Sequence, residues 1–278
     1  MSETQPKNEV RVADLSMRWT ERGSGDETLV LVHSSGMSSR QWRRIAETLE
    51  PKVRIVLPDL IGYGESSEWP ATERFHFTLD VLALEAMLDR LSAERGPVHL
   101  GGHSYGGFLA LLAALHRPKA VRSLVVYEPV SFGVLRSRGD AEALATLLPG
   151  DEEAPFPDSA EALEAWLERF VDYWNGPGGW RGLNEPVRET FRRTGRKVVG
   201  EVRSLSADGT PHHAYRAIEV PVLLLGSEKP TLAADRVLTL LEECAPRARR
   251  VPIRGAGHMG PLTHAPQVAE QIAAHLGV

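Results

Sequence analysis

The chain has 278 residues, 42 % hydrophobic and 25 % charged, with a net charge of −5. That is enough for one large domain, or a core domain with an insertion, and the composition is that of an ordinary globular protein. The acidic balance gives no electrostatic footprint for nucleic acid or anionic lipid, no apolar stretch reaches membrane-spanning length, and the single cysteine, Cys244, excludes an internal disulfide and a cysteine metal cluster. Met1–Val10 lacks the basic start and apolar centre of a signal peptide, so the cytoplasm is the expected compartment.

Strand-like and helix-like segments alternate, the pattern of a mostly parallel sheet covered on both faces. Val10–Thr20 supplies one or two opening strands before the Gly23-Ser24-Gly25-Asp26 turn. Thr28–His33 reads as a buried central strand, Ser39–Leu49 as a helix and Val53–Pro58 as the next strand. Phe77, Val81, Leu84, Leu88 and Leu91 recur at three- and four-residue spacing, which predicts an amphipathic helix over 76–92. The apolar run 97–101 leads through a glycine-flanked serine into the apolar helix 108–115, closed at Arg117-Pro118, and then the strand Val121–Tyr127.

Between 130 and 216 the alternation stops, for longer than a plain connection allows. Leu163, Trp166, Phe170 and Trp174 share one helical face after an Asp158-Ser159 start, and Val187–Gly200 reads as another helix beyond the break at Asn175–Gly179. We read 130–216 as a helical cap on a core made of 1–129 and 217–278. The cap tryptophans, Trp166, Trp174 and Trp180, either line an apolar pocket or form the cap's own core. The α/β pattern resumes with a strand at Val220–Leu225, a helix at 231–244, a strand at 248–253 and a helix at 265–276.

The chemistry centres on Gly102-His103-Ser104-Tyr105-Gly106-Gly107. A serine on a strand-to-helix turn, with glycines where Cβ atoms would collide, is a nucleophile elbow. Three further pieces stand in order. His258, in Gly255-Ala256-Gly257-His258-Met259-Gly260 before the last helix, is the candidate general base. Its competitors are a plain surface-loop reading and His264, while His103 reads as packing. His33-Ser34-Ser35-Gly36 follows the first central strand, where its backbone would supply one N–H of an oxyanion hole, from Ser35, with Tyr105 supplying the other. Asp59–Ser66 carries glycines for turns and two side chains, Asp59 and Ser66, for local hydrogen bonds. His212-His213 beside a turn lacks a further ligand at metal-binding spacing, and Arg247, Arg249 and Arg250 read as a solvated strand end.

In family order, HSSG, DLIGYGESS, GHSYGG and GAGHMGPLTH resemble the α/β-hydrolase superfamily, within the cap-bearing group that includes epoxide hydrolase-like and haloalkane dehalogenase-like members. The resemblance implies an α/β-hydrolase fold: a mostly parallel central sheet, helices on both faces and a helical cap insertion. It departs from the family pattern at His33-Ser34, where the loop usually begins His-Gly. It departs again at the third triad member, because the usual G-x-x-D position reads Gly226-Ser227-Glu228-Lys229, and a lysine cannot accept the imidazole N–H. Some members carry the acid one strand earlier, which here is Glu128 at the tip of Val121–Tyr127. Glu128 is therefore assigned as the orienter of His258, with Glu228 and then Asp235 as alternatives.

These residues imply a serine hydrolase acting on an uncharged, moderately apolar ester, lactone or related acyl compound, with no metal or organic cofactor and a small molecule as its only implied partner. Carbon–carbon hydrolysis, perhydrolysis, acyl transfer or lyase chemistry on the same triad is the alternative, and a non-catalytic binding protein is a third. The serine nucleophile disfavours dehalogenase and epoxide hydrolase chemistry, which use an aspartate.

Overall fold

Eight strands form a single sheet in the computed structural model, which describes residues 8–70, 74–147 and 156–278. They are β1 (Glu9–Val12), β2 (Leu15–Arg22), β3 (Thr28–Val32), β4 (Arg54–Asp59), β5 (Val98–His103), β6 (Val121–Tyr127), β7 (Val222–Ser227) and β8 (Ala248–Ile253). Their order is β1-β2-β4-β3-β5-β6-β7-β8; β1 and β2 are antiparallel to their neighbours and the rest of the sheet is parallel.

The helices are α1 (Arg43–Leu49), α2 (Thr78–Arg95), α3 (Tyr105–His116), α4 (Gly133–Arg138), α5 (Ala141–Ala145), α6 (Ala160–Asn175), α7 (Gly179–Gly182), α8 (Glu185–Ser204), α9 (Leu232–Cys244), α10 (Gly260–Thr263) and α11 (Ala265–Leu276). Alternation along each strand sends residues to opposite faces. Val30 and Val32 of β3 join a core with α2, α3 and α9, whereas Leu29 and Leu31 join one with α1 and α11. Both faces are thereby covered, so β3, β4, β5 and β7 are buried throughout, whereas β2 and β8 keep exposed polar residues. Cys244 is buried among the apolar residues of the first core.

Boundaries differ from the sequence reading where local capping decides them. The segment expected as one helix over Ser39–Leu49 opens with a 3₁₀ turn, Ser39–Trp42. The helix expected at Val187–Gly200 begins earlier because Asn184 accepts the Val187 N–H at 3.1 Å and Pro186 occupies the first turn. Residues 1–7 of the leader reading and 148–155 of the 130–216 segment lie outside the described residues.

Between β6 and β7 the described elements are all helices. Leu167, Val171, Trp180 and Phe191 of α6, α7 and α8 form a separate apolar cluster. The parallel strands β3, β5 and β6 end together, so the segments following them, and the loop after β8, meet at one edge of the sheet. That edge is where ligands bind in open α/β sheets.

The turn between β5 and α3 is held by close backbone approach. A Cβ at Gly106 would collide with the carbonyl oxygens of Val32 and His33, and one at Gly102 with the Gly106 carbonyl. Because the obstacles are backbone rather than yielding side chains, Gly106→Ala is expected to destabilise the fold by about 3 kcal/mol. Urea denaturation measures this, and an unchanged midpoint would contradict the stated packing.

Candidate active site

Ser104 occupies the turn with φ 54° and ψ −116°, a left-handed conformation that side chains rarely adopt. Its N–H is held by the Tyr127 carbonyl at 2.9 Å and its carbonyl accepts from Phe108 at 3.0 Å. Glu128 is a second residue forced into this region, at φ 40°. Strain of this kind, about 1–3 kcal/mol per residue, persists where surrounding structure over-determines it. Here the pinning groups are the sheet bonds on either side, including Glu128 N–H to Leu225 O at 2.9 Å.

His258 Nδ1 lies 2.7 Å from Glu128 Oε2, and both side chains are buried. The other carboxylate oxygen, Oε1, accepts from the Ser227 N–H at 2.7 Å and the Ser227 hydroxyl at 2.5 Å. Burial pushes the Glu128 carboxyl up, but the His258 bond, its nearby charge and the two Ser227 donors outweigh it and leave the group below its ordinary value. It therefore stays ionised and holds the proton on Nδ1, leaving Nε2 as the basic nitrogen. The alternative acids are engaged elsewhere. Glu228 accepts the Gly255 N–H at 3.0 Å, and Asp235 pairs with Arg250 at 2.6 Å. His264 is also away from this group, bonded to Thr263 at 2.9 Å.

The His258 ring is fixed on both sides. Trp174 of α6 stacks on it, with centroids 3.8 Å apart and planes 19° apart, and His103 lies 4.8 Å away at 48°. Burial, then the neighbouring His258, holds the His103 imidazole far below its usual value, so it packs as a neutral ring. The loop carrying His258 is tied down by the Tyr127 hydroxyl, which donates to Gly257 O at 2.7 Å.

The 33–36 loop is pinned at each neighbour of Ser35. His33 Nε2 accepts the Leu60 N–H at 3.0 Å, so Nδ1 carries the hydrogen donated to Ser34 O at 2.8 Å. Ser34, the departure from His-Gly, donates its N–H and hydroxyl to Gln41 Oε1 at 3.1 and 2.9 Å. Gly36 sits at φ 74° against the Phe191 ring and donates its N–H to the Tyr63 hydroxyl at 3.2 Å. The flanking amides are thus committed, and Ser35 borders the same cavities as Ser104. Tyr105 begins α3, where a helix offers its N–H no internal acceptor. The Asp59 loop supports this edge as expected: its carboxylate accepts from Ser39 at 2.7 Å and Glu65 at 3.0 Å, and Ser66 donates to the Asp59 carbonyl.

Two cavities meet at Ser104. One, of about 240 Å³, runs between Val130, Phe132, Leu144, Leu147 and Tyr173; the other, about 300 Å³ and more apolar, is walled by Met37, Val171, Leu183, Val187, Phe191 and Leu262. Ser35, Phe170 and Trp174 border both. The tryptophans divide accordingly: Trp174 faces the cavities, Trp180 belongs to the separate helical cluster, and Trp166 stacks on Phe170 at 5.4 Å. His212 bonds Ser137 at 3.0 Å, and among the described residues no group of three or more potential ligands is placed to hold a metal ion. No helix among the described residues is long and apolar enough to cross a membrane.

The sequence reading did not identify Lys197, Glu201, Asp80 or Tyr63, which form a buried charged cluster beside this edge. Lys197 and Glu201 are four apart on α8, a spacing normally read as a solvated pair. Their only signal was that Phe191, Thr194 and Val198 place apolar or small residues on the same helical side.

Residues 29–271 match the alpha/beta hydrolase family. The chain is 30 % identical to the lipase LipV of Mycobacterium tuberculosis, over 91 % of this chain and 95 % of that one. It is 35 % identical to a pimeloyl-[acyl-carrier protein] methyl ester esterase of Yersinia pseudotuberculosis, again over 91 % and 95 %. Among solved structures, a hydrolase from Pseudomonas aeruginosa superposes with a TM-score of 0.73 at 22 % identity, covering 98 % of each chain.

Proposed function

From the premise that this chain belongs to the alpha/beta hydrolase family and is a hydrolytic enzyme, we propose that it is a serine hydrolase of uncharged, moderately apolar esters, lactones or related acyl compounds. The observation that carries this reading is the 2.7 Å His258–Glu128 contact in a cavity wall shared with Ser104. Helices within 130–216 act as a cap over the core 1–129 and 217–278, supplying Phe170 and Trp174 to the substrate space.

Ser104 Oγ attacks the acyl carbon as His258 Nε2 takes its proton, giving a tetrahedral oxyanion and an imidazolium. Glu128 holds that imidazolium on Nδ1, and the Trp174 face adds cation–π attraction while it is charged. The N–H groups of Ser35 and Tyr105 receive the oxyanion. Collapse expels the alcohol, which leaves with the proton from Nε2. Water, deprotonated by the same nitrogen, then attacks the acyl-enzyme and frees Ser104. The apolar wall of the second cavity supports an uncharged substrate portion there, since a charge buried against it would lack a partner, whereas the first cavity also carries Arg136 and Ser206.

The test is covalent. A fluorophosphonate should label the protein once per chain, on the peptide containing Ser104, with loss of p-nitrophenyl butyrate turnover in step with labelling. Labelling elsewhere, or full turnover by labelled protein, would overturn the assignment. Labelling together with inertness towards every simple ester would transfer the reading to carbon–carbon or acyl-transfer chemistry.

A further inference from the structure

The proposed proton transfers leave unused a buried cluster that joins α8 to the sheet edge. The Lys197 side chain is 3 % exposed and those of Asp80 and Glu201 are 0 % exposed. Lys197 Nζ donates to Asp80 Oδ2 at 2.8 Å and to Glu201 Oε1 at 3.0 Å. From this ammonium two arms diverge. Along one, the Tyr105 hydroxyl donates to Asp80 Oδ2 at 3.0 Å. Along the other, the Tyr63 hydroxyl donates to Glu201 Oε2 at 2.9 Å and accepts the Gly36 N–H at 3.2 Å, with the Ser35 hydroxyl as a further donor to Glu201. The Phe75 ring closes over the ammonium at 3.8 Å.

Buried ion clusters are poor sources of stability, because desolvation offsets their attraction and apolar replacements often do as well. Their value lies in fixing geometry. Each arm here ends on one of the two residues whose backbone N–H is assigned to the oxyanion, Tyr105 at the start of α3 and Ser35 on the loop after β3. Neither Lys197 nor Glu201 borders the cavities at Ser104, so neither reaches a substrate there.

We propose that Lys197 and Glu201 are positioning residues of the oxyanion hole: seating α8 brings this pair against Asp80 on one side and against Tyr63 and Ser35 on the other, and so sets the spacing of the Ser35 and Tyr105 amides. This rests on the serine-hydrolase reading above. The charge state agrees with it. Burial presses the Lys197 ammonium down, but Asp80 and Glu201 outweigh burial and hold it above its ordinary value, while burial and the neighbouring Asp80 hold the Glu201 carboxyl above its own against the pull of Lys197.

The experiment uses the full chain, with active sites counted by fluorophosphonate titration. It measures kcat and KM for p-nitrophenyl butyrate, and affinity for an aryl trifluoromethyl ketone, whose adduct carries the oxyanion. Lys197→Met and Tyr63→Phe should each lower kcat per titrated site by about ten- to a hundredfold and weaken the ketone by the same factor. KM should stay within about twofold, because ground-state contacts are untouched. Arg192→Gln is the control, since Arg192 ties α8 to Glu164 of α6 at 3.0 Å without entering the cluster, and it should change neither quantity. General loosening would instead lower the titre and Tm without linking kcat to ketone affinity. If Lys197→Met does not fold, Glu201→Gln, which removes the charge that receives Lys197 and Tyr63 at nearly unchanged volume, takes its place with the same expected losses. Unchanged kcat and ketone affinity in the folded variants, or a loss confined to KM, would overturn the proposal while leaving the hydrolase reading intact. A wild type that takes neither label nor ketone would overturn both.

Discussion

Ser104→Ala is expected to lower ester turnover by roughly 10⁶-fold, the loss seen when an acyl-transfer nucleophile is removed from an otherwise intact site. The loss should fall on kcat, because the cavity walls that bind substrate remain. The fold should survive, since Ser104 is anchored through its backbone, by the Tyr127 carbonyl and the first turn of α3. A residue of catalysis should persist, because the amide donors and the binding surface still act on a water-borne attack. The measurement is kcat for p-nitrophenyl butyrate beside a thermal melt. Turnover within tenfold of wild type, in a preparation shown free of contaminating esterase, would remove serine from the mechanism.

Glu128→Gln is the second large effect, expected at about 10⁴-fold on kcat. The glutamine amide can present its oxygen or its nitrogen, and Ser227 demands an acceptor at Oε1, where two donors converge within 2.7 Å. The NH₂ would then face His258 Nδ1, which must become an acceptor, so the hydrogen moves to Nε2 and the base is lost to the wrong tautomer. The imidazolium also loses its counter-charge. Glu228→Gln should leave kcat nearly unchanged, because that carboxylate accepts the Gly255 amide and is not bonded to His258. The reverse pattern in the two variants would move the acid to the end of β7.

Much of this arrangement is legible without coordinates, and the reasons are local. The β5–α3 turn is encoded in consecutive residues: Gly102 and Gly106 are needed wherever the backbone closes that tightly. The apolar spacing of α2, α6 and α11 follows from one buried face each. Lys229 excludes the usual acid position by residue type, and the resemblance to family members that carry the acid one strand earlier then favoured Glu128, with Glu228 left as an alternative. The support for Glu128 was not legible. Ser227, 99 positions away, supplies both donors to Oε1, and nothing in Gly226-Ser227-Glu228 marks that serine as a partner. The Trp174–His258 stack escaped for the same reason: helical spacing gives the side of α6 on which Trp174 lies, but not which loop it will meet. Lys197 and Glu201 were hidden more deeply. Their helix is rich in arginine, and a Lys–Glu pair in such company looks solvated until Asp80, from α2, is brought against it.

The position of Glu128 also constrains how such proteins can be recombined. It stands just before the helices between β6 and β7, and Val130 leans on the elbow through an N–H bond to the Ser104 carbonyl at 3.4 Å. A chimera that imports a foreign lid must therefore splice downstream of Val130, or the graft will disturb the residue that steers the imidazole. Its return junction must respect the Asp208 carboxylate that accepts the Gly133 N–H, and any donor segment lacking counterparts of Lys197 and Glu201 would strand the Asp80 carboxylate without its cation.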